Sequence, residues 1–388
     1  MPHSSIFSFE AFRGFGFRFP ATLLGVAALI FGLELGLRLT PDAWLYASSR
    51  SRLGVFSFFE REVIPRFPDP RILVLGSSRA EDAVVPKQLD EALGLPDFSA
   101  ENLGIQAGDV HDALVFYRRH RNALGRARLV ILCTDEWHFS SGAGLGWRYR
   151  LHAPISERWA LGRPGAEPEW ARPEQLDEPR WGAELEARRA AKREQAERLR
   201  TQLLLDGIFS MRQKLAYVPT AVAFNLLGLG KNKGLDFTEE RQIRRPERKR
   251  DDEFGPAIDN PATFDNRLQT FYADFDAHPV LLGHVEALAR MVAEDGGRLV
   301  LLQMPNRRLY QEEVERLYPA EYELHARALR ELGARLGARV YLYRYPEECG
   351  LEDRNYLDYG HLAKAGSRRF TEFLAELIRR EELLLAEP

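Results

Sequence analysis

Arg71-Ile-Leu-Val-Leu-Gly-Ser-Ser-Arg79 is the stretch whose reading decides the fold. Ile72 to Leu75 are continuously apolar without helical periodicity. That is the pattern of a strand buried on both faces of a parallel sheet. Gly76 permits a sharp turn, and Ser77, Ser78 and Arg79 then fall at the strand's carboxyl end, the edge of an open α/β sheet where ligands bind. A serine at such a strand-to-helix corner has two readings. It is a helix cap, a position that favours serine, or it is a nucleophile.

A second stretch bears on that choice. Tyr356-Leu-Asp358-Tyr-Gly-His361-Leu-Ala-Lys-Ala-Gly366 places a carboxylate three residues before an imidazole. A helical pattern follows at Phe370, Phe373, Leu374, Leu377 and Ile378. In a loop at a helix start, this spacing lets Asp358 reach one ring nitrogen of His361. The other nitrogen is left to take a proton from a serine.

On these residues the chain resembles the SGNH/GDSL hydrolase superfamily, with its early Gly-x-Ser after the first strand and its late Asp-x-x-His before the last helix. The resemblance implies Ser78 as nucleophile, His361 as general base and Asp358 as its orienting partner. The same order of residues occurs in α/β-hydrolases, but their Gly-x-Ser-x-Gly elbow is absent here. Asn102-Leu-Gly-Ile-Gln-Ala-Gly108-Asp109 is similar to the family's second block, which implies a Gly108 backbone N–H as oxyanion donor; the Ser78 N–H is a second candidate. The family's third block ends in Gly-x-Asn-Asp, whereas this chain has Val130-Ile-Leu-Cys-Thr-Asp135-Glu136-Trp137-His138, without the Asn. A further donor is therefore expected from Thr134 to His138 or from Arg79. Arg79, Asp135, Trp137, His138 and Asn306 are the candidate substrate-binding residues.

Ser77 stands where many family members have Asp, and with the missing Asn this resembles the membrane-anchored branch that includes DltD-like and alginate O-acetylation proteins. That branch implies acyl-ester chemistry on cell-envelope glycan or polymer, with an acyl donor, a glycan or polymer acceptor and a multispanning acyl-donor protein as partners. Hydrolase and O-acyltransferase use one triad and stay open alternatives. A catalytically inactive module that binds glycan or scaffolds a complex is the reading from another class. Asp135, Glu136 and His138 could instead join Asp358 and His361 around a metal, but the tight His-rich spacing of such sites is lacking. No cofactor is expected.

Composition narrows the field. The chain has 388 residues, 45% of them hydrophobic, enough for one large domain or a domain with an insert. A net charge of −3 offers no basic field for nucleic acid. Two cysteines without metal-like spacing, Cys133 and Cys349, read as free thiols. Phe19 to Leu33 are free of charge, and counting from Phe17 to Leu39 reaches the length of roughly 20 residues that a spanning helix needs. Arg13 and Arg18 suit a signal anchor with residues 1–16 cytoplasmic and the large domain periplasmic or extracellular. A cleaved signal peptide is the rival, although no small-x-small cleavage site follows the apolar run.

Residues 40–70 read as an aromatic connector and 71–388 as an α/β domain. Strands are expected at Ile72–Leu75, near Ser99–Leu103, and at Leu129–Cys133, Arg298–Met304 and Arg339–Tyr343, with helices between. That alternation implies a doubly wound, flavodoxin-like parallel sheet in the order 2-1-3-4-5. From about 140 to 278 the alternation breaks, and a mainly helical and irregular insert is expected there.

Overall fold

A computed structural model describes residues 21–40, 64–65, 69–105, 108–139, 252–272, 275 and 279–384, with isolated positions at 186–187, 190, 194, 201, 218–219 and 222. Most of the expected insert and most of the 40–70 connector lie outside the described residues. Ile64 of the connector is described, and it is buried in the core.

The chain forms an α/β domain around a five-stranded, all-parallel sheet: β1 (Ile72–Leu75), β2 (Ala100–Asn102), β3 (Leu129–Thr134), β4 (Arg298–Gln303) and β5 (Arg339–Leu342), in the order β2-β1-β3-β4-β5. Ile72 pairs with Ala100 on one side and Leu129 on the other, so β1 is an interior strand. All of β1 and β3 is buried, whereas the edge strand β5 is half-buried to exposed.

Both sheet faces are covered, which is why the central strands read as unbroken apolar runs. Leu73, Leu75, Val130, Leu132, Leu299 and Leu301 pack against helices α4 (Val110–Arg119), α7 (Pro279–Glu294) and α9 (Pro319–Leu336). Ile72, Val74, Ile131, Cys133, Val300 and Leu302 face α2 (Ser78–Ala83), α3 (Pro86–Leu93) and α10 (Lys364–Arg380). The remaining helices are α1 (Ala21–Leu39), α5 (Arg121–Leu124), α6 (Asp265–Tyr272) and α8 (Arg308–Leu317). Pro86 and Pro319 each stand at the start of a helix and separate it from the helix before, because proline lacks the N–H that a helix interior requires.

Of the expected anchor at 17–39, α1 is described from Ala21. Leu29 and Phe31 on it are 63% and 70% exposed, while Glu34 and Leu37 are buried. Among the described residues no helix is long and apolar enough to cross a membrane. Glu34 and Arg38 interrupt the apolar run in the last turns of α1.

The turn after β1 is set by Gly76, whose φ is +148°. A Cβ there would lie 2.7 Å from the Cys133 carbonyl oxygen and 2.9 Å from Ala80 Cβ. Only glycine lets the chain leave β1 this close to β3 and enter α2 at once. Gly76→Ala is expected to destabilise the domain by at least about 2 kcal/mol, from backbone strain and overpacking together. Chemical denaturation of the two proteins, comparing midpoints, checks this; an unchanged midpoint would refute it.

Candidate active site

The strand order reverses direction between β1 and β3, the point of an open α/β sheet whose carboxyl edge favours ligand binding. Ser77 and Ser78 follow β1, and Asp135 follows β3. The structure gives the two serines different tasks. Ser77 is the N-cap of α2, its Oγ accepting the Arg79 N–H at 3.2 Å and donating to Asp135 Oδ2 at 2.6 Å. Ser78 is the first residue of the helix and half-buried, with its Oγ 2.8 Å from His361 Nε2.

His361 sits in the loop after β5. Its Nδ1 lies 2.8 Å from Asp358 Oδ2. The spacing of three residues works because Asp358 Oδ1 also accepts the backbone N–H groups of Gly360 and His361, at 3.0 and 2.9 Å. The carboxylate folds its own loop and so presents itself to the ring. Burial alone would lower the His361 pKa, but the hydrogen bond and charge of Asp358 outweigh it and hold the imidazole above 6.5. For Asp358, burial would favour the neutral acid; the His361 contacts and the two backbone N–H groups outweigh it and hold the carboxyl well below the usual range. An ionised Asp358 fixes the proton of neutral His361 on Nδ1. Nε2 is then the acceptor for the Ser78 hydroxyl.

The three residues expected to cooperate therefore lie in one hydrogen-bonded line. Four of the five candidate substrate contacts are buried. Arg79, Asp135, His138 and Asn306 are each no more than 2% exposed and are bonded within the protein. Arg79 pairs with Asp135 at 2.7 Å and donates to the carbonyls of Met304, Pro305 and Gly360. The Asp135 N–H donates to His138 Nδ1, which leaves the His138 Nε2–H to donate to the Gly108 carbonyl at 3.0 Å. Asn306 Nδ2 donates to Glu136 Oε1 and Gln311 Oε1. The Trp137 side chain lies outside the described residues. Desolvation accounts for these bonds: polar side chains packed in at strand ends must find protein partners, and these have done so.

Of the two expected backbone oxyanion donors, Gly108 has a partner within the protein. The Gly108 N–H donates to Ile105 O at 2.7 Å, and the Asn102 amide donates to Ala80 O and Val84 O, closing the end of α2. The Ser78 N–H remains at the first turn of α2, where helix amides have no partner within the helix. Thr134 Oγ1 is buried without a hydrogen-bond partner among the described residues.

Sequence reasoning passed over the polar layer beneath the triad. Burial outweighs the neighbouring charges at Glu136 and raises its pKa, whereas Arg79, His138 and Ser77 together outweigh burial at Asp135 and lower its pKa. Glu136 also accepts from Gln303 Nε2, and Gln303 Oε1 lies 2.9 Å from His325 Nε2. An arginine after one buried strand and an acidic pair after its sheet neighbour was the available signal, usable only with the strand order in hand. Among the described residues no group of three metal-ligating side chains is assembled, and Asp135 and Glu136 are engaged as above. No family model matches the chain, and no curated protein matches it.

The pairing predicts a titration. In full-length protein with ¹⁵N-labelled histidine, His361 should titrate above 6.5. Asp358→Asn removes the contacts that raise it and leaves burial, so the value should drop below that of wild type. A wild-type value at or below 6.5 would break the assignment.

Proposed function

We propose that this chain is a serine acyl-ester hydrolase or O-acyltransferase of SGNH/GDSL type, held at a membrane and acting on cell-envelope glycan or polymer. The observation that carries the chemistry is the line Ser78 Oγ, His361 Nε2, His361 Nδ1, Asp358, with 2.8 Å at each of the two contacts. The parallel sheet in the order β2-β1-β3-β4-β5, with Ser78 after β1, supports the family reading.

In this reading Ser78 Oγ attacks an ester carbonyl while its proton passes to His361 Nε2. The tetrahedral intermediate collapses, the carbonyl–oxygen bond to the leaving alcohol breaks, and His361 returns the proton to that alcohol. Water or a sugar hydroxyl then attacks the Ser78 ester, its proton moving through the same imidazole. Asp358 stabilises the imidazolium in both halves. The envelope substrate and the multispanning donor partner rest on the resemblance. The apolar side chains exposed along α1 support the membrane contact.

A second reading, an inactive module that binds glycan or scaffolds a complex, is favoured by one observation. Gly108, Arg79 and His138 all give their donors to protein acceptors rather than to a developing oxyanion, and loss of one such donor typically lowers the rate about 100-fold or more.

A fluorophosphonate probe separates the two. The full chain in detergent micelles should be labelled and Ser78→Ala should not be, while Ser77→Ala should lose stability with both its cap and its bond to buried Asp135. Absence of labelling in wild type would sink the enzymatic reading. The anchor is checked by carbonate extraction of membranes from expressing cells. The full-length chain should stay in the pellet; release of a shortened soluble form would show a cleaved signal peptide instead.

A further inference from the structure

We infer that Arg79 is a positioning residue for the triad: its guanidinium holds the peptide on which His361 is mounted against the segment that carries Ser78. The inference rests on the triad reading above but concerns a group that touches neither substrate nor the reacting atoms. Arg79 is covalently next to Ser78. Its Nε donates to the Gly360 carbonyl at 3.1 Å, and Gly360 is covalently next to His361. The carbonyl of Gly360 and the N–H of His361 belong to one planar peptide. Arg79 holds the oxygen edge of that plane, and Asp358 Oδ1 holds the nitrogen edge at 2.9 Å. The plane cannot turn without breaking one of these bonds, and the His361 side chain leaves from its end.

The other arms of the guanidinium fix Arg79 itself. Nη1 meets Asp135 Oδ1 at 2.7 Å after β3, and Nη2 reaches Pro305 O at 2.8 Å and Met304 O at 3.2 Å after β4. Asp135 is in turn tied to Ser77 at 2.6 Å, so the carboxylate grips the chain on both sides of Ser78. One planar cation thus joins the ends of β1, β3 and β4 to the triad loop. Lysine offers a single ammonium on a flexible stem and cannot reproduce a fork of donors in one plane.

Gly360 supplies an independent mark of the same contact. A Cβ at this position would lie 2.6 Å from Arg79 Nε and 2.8 Å from Cζ. The guanidinium lies so closely against residue 360 that no side chain fits, which makes Gly360→Ala a way to displace the clamp without removing the charge.

The test uses the full chain in detergent micelles. The first readout is the downfield Nδ1–H proton signal of His361, assigned with His361→Gln, and it needs no turnover. The second is the pH dependence of fluorophosphonate labelling of the folded protein. Arg79→Lys is expected to weaken or abolish the His361 signal and to slow labelling about 100-fold, the scale of a misplacement near 1 Å. Gly360→Ala should act in the same direction, and the double variant should lose no more than the stronger single, because both break one contact. If Arg79→Lys does not fold, Gly360→Ala decides alone. A purely structural role would lower thermal stability while leaving the signal, the pH profile and the labelling rate within about twofold of wild type, and that result overturns the inference. Wild type that resists labelling would refute the proposed chemistry, whereas loss of the His361 signal in the variants would still establish the clamp.

Discussion

The buried pairing of Arg79 with Asp135 is the constraint on which the carboxyl edge of the sheet depends. Each side chain is 2% exposed. Taking a guanidinium and a carboxylate out of water costs several kcal/mol per ion, and only close pairing with further hydrogen bonds offsets it. Asp135 receives Arg79 and Ser77, and Arg79 donates to three carbonyls besides. Breaking such a buried pair typically costs about 3–5 kcal/mol, because the remaining charge has no partner. A second carboxyl, Glu136, lies 3.9 Å from the same guanidinium. Burial there raises the Glu136 pKa against the pull of Arg79.

Loops from several strands are tied together at this layer. The Arg307 N–H donates to Tyr359 O at 2.8 Å, and the Tyr356 hydroxyl donates to Pro305 O. The loop after β5 is in this way bound to the end of β4. Short parallel strands separated by long segments bring no such edges together by local preference. The sheet order does it, by placing β1 between β2 and β3 and sending the covering helices to opposite faces.

Behind the triad stands an aromatic cluster. Tyr359, between Asp358 and His361 in sequence, lies 5.0 Å from Tyr310 and 6.0 Å from Phe271, measured between ring centres. Its own ring is edge-on to His361 at 6.0 Å. Burial raises the pKa of Tyr310 and Tyr359, which keeps both neutral. An apolar wall of this kind excludes water from one side of the imidazole and strengthens the Asp358 contact on the other.

The sequence by itself determined the strands and their order of use. Ile72–Leu75 and Leu129–Cys133 read as buried strands because both of their faces are covered, and an unbroken apolar run has no other stable place in a sheet of this kind. The Asp358-x-x-His361 spacing was legible for a similar reason: the carboxylate bonds to the backbone of its own loop, so the pairing is local. Contacts between residues far apart in sequence were not legible from the residues alone, and the choice of Ser78 as partner of His361 came from the resemblance. Ser77 and Ser78 are chemically identical neighbours, and only the helix start separates the cap from the hydroxyl that faces His361, 283 residues away. Arg79, Asp135, His138 and Asn306 carry charges or donors that suit a substrate, and nothing in their spacing shows that they face inward. Their burial is decided by which strand ends meet, and a buried polar group must then spend its hydrogen bonds on whatever the fold brings within reach.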